Sequence, residues 1–91
     1  VSLDKDILAV IRGHHERYDG KGYPDKLKGD DINIMAAIVS VADAYDAMTS
    51  HRPYMKNMTK EEAIEQLKQN SGTQFNPKVV DAFIKVLQRP I

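Results

Sequence analysis

Ninety-one residues make one small domain at most, and thirteen Lys and Arg balance thirteen Asp and Glu, so the formal net charge is zero. Binding to nucleic-acid polymers or anionic lipid runs on excess positive charge, which this chain lacks, so neither a nucleic-acid partner nor a membrane contact is expected. With no cysteine there is no disulfide framework and no thiolate zinc site, so any metal must be held by His, Asp or Glu.

The elements read as all-helical. A first segment from about Leu3 to Arg17 has Ser2 as its N-cap, with Asp4 and Asp6 suiting the helix dipole. Ile7, Leu8, Val10, Ile11 and His14 or His15 follow helical spacing. The stretch from Tyr18 to Asp31 holds three glycines and Pro24 and reads as a long ordered loop, pinned by Tyr23 and Leu27. A second segment, Ile32 to Ser50, is apolar almost all round, the pattern of a central helix. It carries Asn33, Ser40, Asp43 and Asp46, so it is no membrane span. After a link over His51 to Met58, Thr59-Lys60-Glu61-Glu62 forms a capping box opening a third helix to about Asn70. Ser71-Gly72 ends it, and Asn76-Pro77 starts a fourth with Val79, Val80, Phe83, Ile84 and Leu87 as its apolar stripe. The chain opens on Val1 with no signal-peptide pattern, so a cytoplasmic location and a piece of a longer protein are the expectation.

Four groups of residues carry candidate chemistry. His14 and His15, if helical, point about 100° apart, so they serve two metal ions, or one ion and one substrate oxygen, or are simply surface cations at a helix end. Asp43 and Asp46 lie three apart on one face of the most apolar helix, where an ionised carboxylate needs a metal, a hydrogen bond or a charge partner. Metal or catalytic use suits Asp43, and a structural role toward Arg52 or loop amides suits Asp46. The glycines of Asp19-Gly20-Lys21-Gly22-Tyr23-Pro24 permit close backbone approach to a ligand or an ion shell. Arg52, held extended by Pro53, can aim its fork at a phosphate or pair with Asp43 or Asp46.

Together these elements resemble the HD-GYP domains, a variant of the HD metal-dependent phosphohydrolases that hydrolyses the bacterial messenger cyclic di-GMP. The resemblance runs from His14-His15-Glu16-x-x-Asp19-Gly20-x-Gly22-Tyr23-Pro24 through Val41-Ala42-Asp43-x-x-Asp46-Ala47 and Ser50-x-Arg52-Pro53-Tyr54 to Gly72-Thr73-x-Phe75-Asn76-Pro77. It implies an all-α bundle of about four helices. His14, His15 and Asp43 are implied as metal ligands, usually for iron or manganese in a bi- or trinuclear centre. Arg52, Lys56 and Tyr23 are implied as substrate contacts, and Asp19, Gly20, Gly22, Tyr23 and Pro24 as a signature loop linked to diguanylate cyclase domains.

The sequence departs from the pattern at Tyr18, where Trp is commoner, at Ala37, where Arg is frequent, and at Met55, where a basic residue is usual and Lys56 follows instead. The eponymous His-Asp pair is absent, since His51 is not followed by Asp. A two-metal site is therefore expected to draw on further ligands, with residues 1–91 forming the C-terminal portion of one HD-GYP domain and inactive alone. Two functions follow: part of a cyclic di-GMP phosphodiesterase, or a non-catalytic module docking diguanylate cyclases through the signature loop. An all-round apolar second helix with three others to cover it also predicts exposed apolar surface and self-association.

Overall fold

The computed structural model describes residues 3–51, 53, 54 and 56–89. Four α-helices follow in order: α1 (Leu3–Gly13), α2 (Ile34–Thr49), α3 (Lys60–Gln69) and α4 (Pro77–Leu87), with a 3-10 turn at Gly29–Asp31. The fold is all-α, as the periodicity predicts. The proposed cap Ser2 lies outside the described residues.

Helix α2 is central and touches α1, α3 and α4. It starts two residues later than expected, because the Asn33 side-chain oxygen accepts from the Met35 and Ala36 amides at 2.9 and 3.2 Å. That cap satisfies two of the unpaired donors at a helix start. Ile32, released from the helix, is buried just before it. Ala36, Ala37 and Val41 pack with Ile64 and Leu67 of α3, Phe75, and Val79, Val80 and Ile84 of α4. Small residues set the approach of α1, since a Cβ built on Gly13 would stand 3.0 Å from the Ala36 Cβ.

Helix α1 ends at Gly13, four residues before the expected Arg17. The His14 amide makes the last helical bond, to the Val10 carbonyl, and the Glu16 amide closes a tighter turn onto Gly13. Its apolar stripe also faces elsewhere than helical spacing implies. Ile7, Leu8 and Ile11 are exposed, and Ile34, Met35 and Ile38 of α2 are 55, 54 and 40% exposed. The predicted exposed apolar surface is therefore present.

The two remaining helices form as their caps dictate. The Thr59 hydroxyl accepts from the Glu62 amide at 3.1 Å, and the Glu62 carboxylate accepts from the Thr59 amide at 3.0 Å. Asn76 accepts from the Lys78 amide at 2.9 Å, with Pro77 next. The Lys60 ammonium donates to the Leu87 carbonyl and ties the start of α3 to the end of α4. Thr59→Ala is expected to lower stability by about 1 kcal/mol, read as an unchanged m-value and a lower urea midpoint.

Candidate functional site

The site begins where α1 stops. Because the helix is already over, His14 and His15 are not held 100° apart: their ring centroids stand 3.9 Å apart with planes tilted by 41°. The expectation of divergent side chains fails for that reason. His14 Nδ1 lies 2.7 Å from the Ile11 carbonyl. That carbonyl can only accept, so Nδ1 is the donor of this contact, which leaves Nε2 as the ring nitrogen that could ligate a metal. His15 stacks on Tyr23 at 5.0 Å and 17°, which fixes its ring plane.

Asp43 reaches the same place from α2. An open cleft of about 400 Å³ is lined by His14, His15, Asp43, Ser40, Tyr23 and Gln74, with parts of Glu16, Arg17 and Ala44. All three candidate ligands thus meet on one cleft. Neutral imidazole and carboxylate donors suit a divalent first-row metal. Among the described residues, no three His, Asp or Glu groups converge on a single point as ligands of one ion. Asp46 faces elsewhere, and its carboxylate accepts from the Ser50 hydroxyl at 2.8 Å at the end of α2. Arg52 lies outside the described residues, and Lys56 is exposed and not among the residues lining the cleft.

The loop beside the cleft is ordered by a residue that the candidate ligand set does not include. Glu16 is only 4% exposed, and its two carboxylate oxygens accept from the Asp25 amide at 2.7 Å and the Leu27 amide at 2.9 Å. A charged carboxylate inside a loop is stable there because both oxygens are satisfied. Gly22 packs on the backbone at residues 15–17: a Cβ there would stand 2.4 Å from the Arg17 nitrogen and 2.6 Å from the His15 carbonyl oxygen. Its glycine serves chain packing, where the sequence suggested approach to a ligand. Gly20, at φ +84, closes the turn onto the Arg17 carbonyl. The Tyr18 and Asp19 amides then donate to the Gln74 and Thr73 carbonyls at 3.1 and 2.8 Å, lacing the loop to the segment before α4.

Two ion pairs complete the loop. Arg17 holds Asp19 through Nε and Nη2 at 3.2 and 3.0 Å, and Arg12 holds Asp25 at 2.8 and 2.7 Å. The hydrogen bonds from these guanidiniums lower both carboxyl pKa values, and hydrogen bonding from Thr59 does the same for Glu62. A lowered folded-state pKa adds stability above the unfolded value of about 4, and that stability is lost as pH falls through the folded value. Asp25 and Glu62 are exposed and Asp19 is partly buried beside an Arg17 that is itself partly in solvent, so solvent screening keeps each contribution small. The melting temperature is expected to hold from neutral pH to about 5 and decline below about 4. Asp19→Asn should flatten that acid limb, and an unchanged limb in a pH series of melts would contradict the assignment.

A family profile described as an HD domain matches residues 1–79. The chain belongs to the HD-domain family. The HD phosphohydrolases are metal-dependent, and the HD-GYP resemblance of residues 14–24 agrees with that membership. Over 73 residues this HD-domain chain is 49% identical to a cyclic di-GMP phosphodiesterase of Thermotoga maritima, covering 80% of the chain and 20% of the relative. Over 78 residues it is 49% identical to the cyclic di-GMP phosphodiesterase response regulator RpfG of Xanthomonas campestris, covering 86% and 20%. In three dimensions it matches a cyclic GMP-AMP specific phosphodiesterase of V. cholerae with a TM-score of 0.78 at 25% identity, covering 92% of the chain and 19% of that structure. The HD-domain chain thus spans about a fifth of the length of these relatives. No helix among its described residues is long and apolar enough to cross a membrane.

Proposed function

We propose that this segment forms one wall of the active site of a metal-dependent cyclic di-GMP phosphodiesterase. The observation that carries the reading is the meeting of His14, His15 and Asp43 on one cleft beside the signature loop. His14 binds through Nε2, His15 is held in plane by Tyr23, and the Asp43 carboxylate offsets the positive charge of the ions. Iron or manganese suits this donor set. Held by His14, His15 and Asp43 with further ligands, such a metal would supply Lewis-acid activation of water and of the scissile phosphate. The remaining ligands, including the His-Asp pair, belong to the rest of the domain, of which these 91 residues form the C-terminal portion. Arg52 and Lys56 are the candidate cations for the substrate phosphates. The exposed faces of α1 and α2 are covered by the rest of the same domain.

The test uses the full-length protein loaded with manganese or iron. His14→Ala and Asp43→Ala should each lower metal content and abolish hydrolysis of cyclic di-GMP while the fold persists by circular dichroism. A metal-replete wild type that hydrolyses no cyclic dinucleotide overturns the reading. A second reading rests on the loop itself, whose Tyr23, Pro24, Asp25 and Lys26 are all exposed. It makes the loop a docking element for diguanylate cyclase domains, and predicts capture of such a domain that Tyr23→Ala abolishes without unfolding.

A further inference from the structure

We propose that a second cleft, next to the one holding His14, His15 and Asp43, receives a purine base of the substrate, and that Gln74 and Gln66 read the edge of that base. The inference rests on the phosphodiesterase reading and adds a nucleobase subsite to it. The second cleft has a volume of about 310 Å³ and lies between α2, α3 and the segment before α4. Ala44 and Gln74 line both clefts, so the two are neighbours across these residues.

The chemistry of the second cleft differs from that of the first. It offers no charged group among its lining residues: Met48, Phe75, Ala44 and Ala47 give apolar surface, and Gln66, Asn70 and Gln74 give amides. A purine base has an apolar face and an edge of alternating donors and acceptors, and a carboxamide matches that edge with one donor group and one acceptor. A phosphate, by contrast, calls for metal or guanidinium.

Gln74 is built to present its side chain. Its backbone is fixed on both sides, the amide donating to the Asn70 carbonyl at 3.1 Å and the carbonyl accepting from Tyr18 at 3.1 Å. Its half-buried side-chain amide has no hydrogen-bond partner among the described residues, and neither has that of Gln66. Asn70 differs, because its side chain is already bonded to the Gln66 carbonyl at 2.9 Å. Two unengaged carboxamides therefore border one recess, part apolar, that adjoins the candidate metal cleft.

The test compares the metal-loaded full-length protein with Gln74→Ala and Gln66→Ala, measuring KM and kcat for cyclic di-GMP and for 3'3'-cGAMP, with metal content and melting temperature. Loss of one base contact should raise KM about tenfold for Gln74→Ala. Gln66→Ala should shift KM in the same direction, and kcat, metal content and melting temperature should stay at wild-type values. Unchanged KM in both variants, or a fall in metal content or melting temperature that accounts for the loss, overturns the subsite and leaves the phosphodiesterase reading standing. A wild type that hydrolyses neither dinucleotide overturns that reading and this one with it.

Discussion

Glu16→Ala is expected to destabilise the fold by about 3 kcal/mol, because it orphans two backbone donors that now bond a charged carboxylate. The Asp25 and Leu27 amides, at 2.7 and 2.9 Å from its oxygens, would lose their partners together. For a domain whose whole stability is about 5–15 kcal/mol, that is a large share. The effect should be local before it is global. Hydrogen exchange at the Asp25 and Leu27 amides should accelerate well before exchange in α3, and Tyr23 should lose its ordered stacking on His15. Glu16→Gln should cost about half as much, since its carboxamide has one acceptor for the two amides. Exchange at these two amides indistinguishable from wild type in Glu16→Ala would contradict this account.

Gly22→Ala is expected to be at least as damaging, by about 3 kcal/mol. The three nearest atoms to an added Cβ are all backbone: the Arg17 nitrogen at 2.4 Å, the His15 oxygen at 2.6 Å and the Glu16 Cα at 2.7 Å. No side chain can swing aside to relieve them, so the loop must move away from the histidines. Gly29→Ala is the matched control. Its φ of +58 is unfavourable for alanine, but nothing lies within 4 Å of the new methyl, so about 1–2 kcal/mol is expected. Urea denaturation of both variants measures the contrast, and metal content in the full-length protein should fall only for Gly22→Ala. Equal effects of the two substitutions would show that close approach is not what position 22 requires.

These two residues also mark where sequence reading reaches its limit. The caps at Thr59–Glu62 and Asn76–Pro77 are local chemistry, complete within four residues, and the helices start where those residues say. The end of α1 is not local. Helical spacing continues through His14 and His15, but Glu16 bonds amides nine and eleven residues further along, and that tertiary demand stops the helix at Gly13. The same limit hid the orientation of α1. An apolar stripe at Ile7, Leu8 and Ile11 predicts burial, yet Gly13 and Ala36 set the crossing and leave that stripe outward. For the candidate site, residue type and spacing raised His14, His15 and Asp43 as separate candidates, the HD-GYP resemblance implied them as one set, and they do share a cleft. Gln74 carried no signal, since one glutamine in a loop has no pattern until its backbone is seen fixed between Asn70 and Tyr18.

The lacing of Tyr18 and Asp19 to Gln74 and Thr73 has a kinetic consequence. These bonds join points 56 and 54 residues apart in the chain, so the entropy of closing that span is lost before the bonds repay it. The helices, whose bonds are local, form without waiting for it. On the ribosome, the histidines and the glycine loop emerge long before the segment that fastens them. The loop, already braced by Glu16, is then fastened to the rest of the fold only once residues 70–76 have left the exit tunnel, and the wall of the candidate cleft is completed late in folding.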